Sequence, residues 1–91
     1  MVVTSLDIGR HAGNGIVLAD AMASRNHARI ERRNDKYVVI DQSSNGTWVR
    51  FDGGEQFRLR REEMILYGSG TLSFGHAPDA GGAELVTFRL D

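Results

Sequence analysis

The chain reads as an all-β sandwich of about nine to eleven short, mostly antiparallel strands. Three observations predict it. Apolar and polar residues alternate at the two-residue period of a half-buried strand, as in 27–33, where Ala28 and Ile30 alternate with His27, Arg29 and Glu31. Eleven glycines punctuate nearly every junction between such runs, roughly one turn in ten residues. No segment sustains a helical period: the best candidate, 59–66, is short and opens on the alternation Arg58-Leu59-Arg60, so it reads as loop and strand.

The elements follow in order. A first strand spans 2–8 and is closed by Gly9, and the apolar run 16–18 is the second. The runs 27–33 and 36–41 are joined by Asn34-Asp35, a turn dipeptide, and form a hairpin. Strands then follow over 47–51, 56–60, 64–66, 71–74 and 85–90, each a short run rich in β-branched, aromatic or aliphatic residues. The stretch 76–82 holds the sole proline and two adjacent glycines, which makes it the segment expected to move most.

At 91 residues the chain makes one domain, 1–91, with a modest core; its strands run nearly to both ends, as expected of a piece of a larger protein. Hydrophobic residues at 41% and charged residues at 25% match a soluble globular protein and exclude a disordered one. No apolar run approaches the ~20 residues needed to span a bilayer, and no secretory signal is visible. Cysteine is absent, which excludes disulfides and thiolate metal sites. The expected location is the cytoplasm, with no membrane partner.

The net charge of −1 argues against a general polyanion binder. Local charge differs: between Arg25 and Lys36 the chain carries a surplus of three positive charges. Arg58, Arg60 and Arg61 make a second basic patch, followed by Glu62 and Glu63. The plain reading of both is a solvated strand face of mixed charge. Positive potential beside Arg25 would nonetheless steer a doubly charged phosphate.

Three polar islands fall at the junctions between strands: Gly9-Arg10, Ser24-Arg25-Asn26-His27, and Asp41-Gln42-Ser43-Ser44-Asn45-Gly46-Thr47. Their residue types suit a phosphate carried on a peptide. A guanidinium meets two phosphate oxygens with paired charge-assisted hydrogen bonds, which an ammonium does not. Serine hydroxyls satisfy further oxygens, and an asparagine amide, donor and acceptor at once, reads an extended main chain. Taken singly, each island has an ordinary explanation. Arg10 would be a surface arginine, Ser24-Arg25 a turn, and Asn45-Gly46 the type I′ turn of a hairpin.

In order and spacing, Ile8-Gly9-Arg10, Ser24-Arg25-Asn26-His27-Ala28, Asp41 to Thr47 and Trp48-Val49 resemble the forkhead-associated (FHA) domain, a β-sandwich that binds phosphothreonine at loops gathered on one end. The resemblance covers about 3–90. It implies that Arg10 grips the phosphate, that Ser24 donates to another phosphate oxygen, and that Arg25 is an adjacent contact. It implies that Ser44 lines the phosphothreonine site and that Asn45 holds the peptide main chain. Gly9, His27 and Gly46 would support the site, and Trp48 would serve the core. The loop Ala21-Met22-Ala23 would present Met22 to the third residue after the phosphothreonine, with an apolar preference. The expected partner is a phosphothreonine-containing protein or peptide in Ser/Thr kinase signalling, with no cofactor and no catalytic residue.

The chain departs from the family in two ways. Arg50 follows Trp48-Val49 where many members have an asparagine, and only eight residues precede Gly9. A missing first strand would leave 85–90 as an open edge, consistent with a short variant, an excised piece or a homodimer joined along that edge. The segment 57–70 also resembles FHA modules attached to bacterial class III adenylate or guanylate cyclases, which such a domain would regulate.

Rival functions find little support. Gly13-Asn14-Gly15 lacks the Lys-Ser/Thr of a P-loop, no nucleophile elbow surrounds Ser24, and His11, His27 and His76 lack ligand spacing. A nucleic-acid binder would interleave exposed aromatics with its arginines, and none are placed so. A phosphate-independent interaction domain is the alternative left open.

Overall fold

The computed structural model describes residues 5–81 and 83–90. The strand expected over 2–8 therefore lies partly outside the described residues, as does Gly82 of the 76–82 loop. Among these residues nine strands run in chain order: β1 (Ser5–Gly9), β2 (Ile16–Val17), β3 (Ala28–Arg33), β4 (Lys36–Asp41), β5 (Thr47–Phe51), β6 (Gln56–Leu59), β7 (Glu63–Leu66), β8 (Gly68–Phe74) and β9 (Leu85–Leu90). They form two sheets, β2-β1-β3-β4-β7 and β6-β5-β8-β9. All pairings are antiparallel except β1 with β2. The segment 59–66 is strand, turn and strand with no helix.

The alternating residues face inward between the sheets. Ile8, Ala28, Val39, Val49, Leu72 and Phe74 are almost wholly excluded from solvent and form the centre of the core. Burying such side chains contributes about 1.5–3 kcal/mol each for the larger ones, the main force closing the sandwich. The β3–β4 hairpin turns at Asn34-Asp35, pairing Arg33 with Lys36, and Asn34 takes the left-handed conformation that asparagine tolerates (φ 59°). Among the described residues β9 lies at the edge of its sheet, the position expected for 85–90.

Three expectations are corrected. Asn45-Gly46 is not a type I′ hairpin turn. That turn needs positive φ at both central residues. Gly46 has φ 97° while Asn45 does not share it, and β4 and β5 belong to different sheets. The segment 42–46 is a crossover. Trp48 is not a core residue: between buried Thr47 and Val49 it sits half-buried on the outward face of β5, with the Arg58 guanidinium 4.5 Å from its ring centre. His27 does not share the outward face of β3, since it precedes the strand and is fully buried.

The chain changes sheet between β4 and β5, between β6 and β7, and again between β7 and β8. The first two crossovers lie side by side, because Thr47 pairs with Leu59 and the Asp41 N–H donates to the Glu62 carbonyl at 2.9 Å. That adjacency sets one flank of the site.

Candidate functional site

The loops at this end are fastened through buried polar groups. His27 is the central one. Its Nδ1 accepts the Ser24 N–H at 2.9 Å and its Nε2 donates to the Gly46 carbonyl at 2.8 Å. Accepting an amide proton at Nδ1 requires the neutral ring with its own proton on Nε2. Burial pushes the pKa of His27 below its ordinary value of 6.5, outweighing the opposing pull of the Gly46 carbonyl and of Asp41. The ring packs edge-on to Phe74 at 5.4 Å between centres. One imidazole thus joins the loop before β3 to the crossover between the two sheets.

Asp41 organises the crossover. Its Oδ1 accepts the hydroxyls of Ser43 and Thr47, both at 2.6 Å, and its Oδ2 accepts the Arg61 N–H at 2.8 Å. The Ser43 hydroxyl in turn accepts the Gly46 N–H at 2.7 Å. Sequence reasoning assigned no role to Asp41, Ser43 or Thr47. Their polar run between apolar strands was visible, but the burial that makes the network costly to break was not.

Glycine matters at two positions. A Cβ on Gly9 would lie 2.1 Å from the Arg25 carbonyl oxygen, so the first loop can press against the second only without a side chain. That approach lets Arg10 N–H donate to the Ser24 carbonyl and His11 N–H to the Arg25 carbonyl, both at 3.1 Å. Gly46 combines φ 97° with a Cβ position 2.9 Å from Arg58 Nε. Asn14, also unassigned from sequence, adds a clamp by donating Nδ2 to the Arg25 and His11 carbonyls.

Four of the expected contact residues come together on this scaffold. Arg10 is exposed, with Nε donating to the Ala23 carbonyl at 2.5 Å; among the described residues its terminal amino groups have no partner. Ser24 Oγ accepts the Ser44 N–H at 3.2 Å, leaving its hydroxyl proton to donate outward. Asn45 Nδ2 donates to the Met22 carbonyl at 2.8 Å, so the acceptor Oδ1 is the part of the amide left for a ligand. Arg58 completes this side by donating to the Asn45 carbonyl at 2.7 Å. The Arg25 side chain is exposed and makes no hydrogen bond or ion pair among the described residues, its backbone carbonyl serving the loop junction instead.

The loop bearing Met22 is fastened from behind. Glu84 Oε1 accepts the N–H groups of Ala19 and Asp20 at 2.8 and 2.7 Å, and His76 Nε2 lies 3.1 Å from Asp20. The Met22 N–H holds the Asp20 carboxyl below its ordinary value, helped by His76 and opposed by desolvation. Among the described residues no group of His, Cys, Asp or Glu is placed to hold a metal ion. Among the same residues no helix is long and apolar enough to cross a membrane.

The family model of the FHA domain matches residues 6–75, which include every one of these loop residues except Glu84 and His76. The chain belongs to the FHA domain family. FHA domains are binding modules, not enzymes. Among solved structures, Mycobacterium tuberculosis EmbR in complex with a low-affinity phosphopeptide is similar to this domain at 29% identity and a TM-score of 0.70. The match covers 97% of this chain and 20% of EmbR, so the domain spans about a fifth of that protein. The N-terminal FHA domain of S. cerevisiae Rad53p, in complex with a phosphothreonine peptide, shares the fold at 20% identity and a TM-score of 0.71, covering 93% of this chain and 67% of that one. The M. tuberculosis FhaA FHA domain, complexed with the intracellular domain of Rv3910, shares it at 24% identity and 0.68, covering 97% and 84%. A search of curated proteins returns no match.

Proposed function

We propose that this FHA domain binds phosphothreonine in an extended peptide and so mediates phosphorylation-dependent association in Ser/Thr kinase signalling. One observation carries the reading. Arg10, Ser24, Ser44 and Asn45, drawn from three separate loops, are fastened into one polar surface by His27, by the Ala23 and Met22 carbonyls and by the Ser44 N–H bond to the Ser24 hydroxyl. EmbR and the Rad53p domain, both in complexes with phosphopeptides, lend support. Arg10 supplies paired donors to two phosphate oxygens, Ser24 donates to a third, and Asn45 Oδ1 accepts a peptide N–H. Arg25 adds positive potential at the rim.

A small contact with a flexible ligand gives an expected dissociation constant in the micromolar range, about −8 kcal/mol. The threonine methyl contributes only ~0.8 kcal/mol if buried, roughly fourfold over serine. Titrating one peptide as phosphothreonine, phosphoserine and unmodified threonine tests this directly. The expected order is phosphothreonine, then phosphoserine, with no detectable binding of the unmodified form. Equal binding of all three would establish a phosphate-independent interaction domain, and indifference to all three with a steep salt dependence on nucleic acid would establish a nucleic-acid module.

Met22 bears on peptide sequence. It is 45% exposed, and its carbonyl accepts the Asn45 amide, which supports a role for this loop beside the peptide. An apolar residue at the third position after the phosphothreonine is the expected preference. A phosphopeptide library selecting aspartate there would rule it out.

Two wider readings rest on narrower support. Regulation of a nucleotide cyclase in the same polypeptide rests on the likeness of 57–70 to cyclase-attached FHA modules, and the coding sequence flanking this domain decides it. Homodimer formation rests on the edge position of β9 among the described residues, where Leu85 is half exposed, and sedimentation separates one copy from two.

A further inference from the structure

Basic side chains are balanced differently at the two ends of the domain. On the sheet containing β1, β3 and β7, Arg29 pairs with Asp7 and Glu31, and Arg33 with Glu31 and Glu63. At the binding end Arg10, Arg25, Arg58, Arg60 and Arg61 are all exposed. Among the described residues none of these five has a carboxylate within ion-pair distance.

The five stand on two flanks of the same surface. Arg10 and Arg25 belong to the loops that meet at Gly9. Arg58, Arg60 and Arg61 lie beyond Asn45, because Arg58 donates to the Asn45 carbonyl and the Arg61 N–H donates to Asp41 at the root of that crossover. Arg58 is committed, stacked on Trp48 and bonded to Asn45. The side chains of Arg60 and Arg61 make no hydrogen bond or ion pair among the described residues. The nearby Glu62 turns its Oε1 to the Arg60 N–H at 3.0 Å and caps the turn.

Arg61 also carries backbone strain. Its φ of 55° lies in the left-handed region, which glycine occupies freely and a residue with a Cβ does not. Strained residues that retain a functional head group concentrate at binding surfaces. On the phosphothreonine reading proposed above, a single phosphate engages Arg10 and Ser24. The second flank therefore has unspent positive charge.

We propose that Arg60 and Arg61 form an anion subsite beyond Asn45 that reads a second negative group on the same peptide, a carboxylate side chain or a second phosphate. The inference rests on the phosphothreonine reading above. Both anions present paired oxygens to a guanidinium, so they share one recognition chemistry. A doubly phosphorylated ligand gains more than an acidic one because its charge is larger.

The test compares phosphothreonine peptides with neutral flanks, with one aspartate walked through the flanking positions, and with a second phosphorylated residue at the best of those positions. The intact domain is expected to gain about fivefold in affinity from the favoured aspartate and more from the phosphate. Arg61→Gly keeps the turn, because glycine accepts its φ, while deleting the cation. Combined with Arg60→Ala it is expected to abolish both gains and leave the neutral peptide's affinity unchanged, with an unaltered melting temperature showing that the fold persists. Gain from the phosphate alone assigns the subsite to doubly phosphorylated ligands, and gain from both assigns it to acidic ligands generally. If neither anion adds affinity, or if the double variant weakens all peptides by one factor, the subsite is wrong while the phosphothreonine reading stands. If the neutral phosphopeptide fails to bind the intact domain, both readings fall.

Discussion

Arg10→Ala is expected to cost ~2–5 kcal/mol in phosphopeptide affinity, enough to carry a micromolar complex beyond easy detection. The magnitude follows from geometry. Arg10 Nε is already bonded to the Ala23 carbonyl, so the guanidinium is held before the ligand arrives and its ordering costs little on binding. What remains free is the pair of terminal amino groups that match two phosphate oxygens. Arg10→Lys retains a positive charge but loses both the anchor and the paired geometry, and should bind between the alanine variant and the natural domain. Isothermal titration with one phosphothreonine peptide checks the series. Unchanged affinity of the alanine variant would move the phosphate away from this loop. Because Arg10 is exposed, the melting temperature should barely move.

The second large effect concerns His27 and stability. His27→Ala leaves the Ser24 N–H without its partner, strips the Gly46 carbonyl of one of its two donors (the Gly75 N–H remains at 3.1 Å) and opens a cavity beside Phe74, at a cost of about 3–5 kcal/mol. That is a large share of a small domain's total stability. A pH dependence follows from the same ring. The folded state holds His27 below its ordinary value of 6.5 because burial disfavours the cation. Above that value neither state is protonated and the full stability is present. As pH falls through 6.5, the unfolded chain takes up a proton that the folded state refuses, so stability is lost, by at most about 1.4 kcal/mol per pH unit. The loss ends once the folded ring also protonates. Urea unfolding followed from neutral pH to about pH 5 should show this decline in the natural domain. The decline should shrink in His27→Gln, which keeps a hydrogen-bonding side chain without the titration. A flat profile in the natural domain would refute the linkage.

Strand period and turn chemistry are legible in the sequence, and contacts between distant loops are not. Ala28 and Ile30, alternating with charged neighbours, place β3 and its inward face, and Asn34-Asp35 places the hairpin, because period and turn chemistry are local properties. The three polar islands were legible for the same reason. Asn45-Gly46 misled because a turn dipeptide reports local conformation and not which sheet the next strand joins. Trp48 misled because a large aromatic ring is as stable lying outward beneath an arginine head group as buried, and the choice belongs to Arg58 on the neighbouring strand. His27 misled because its alternation was counted from a strand that starts one residue later.

The linear order of residues determines the sandwich, its strand spacing and the chemical types available to a phosphate, since each depends on neighbours within a few positions. Tertiary packing decides which of those groups act together. His27 meets Gly46, Asn45 meets Met22, and Arg58 meets Asn45 across separations of 13 to 23 residues. Crossovers between two sheets fix such distances, and no local pattern encodes them. The strain at Arg61 belongs to the same class, because its backbone is held by a buried carboxylate from another strand.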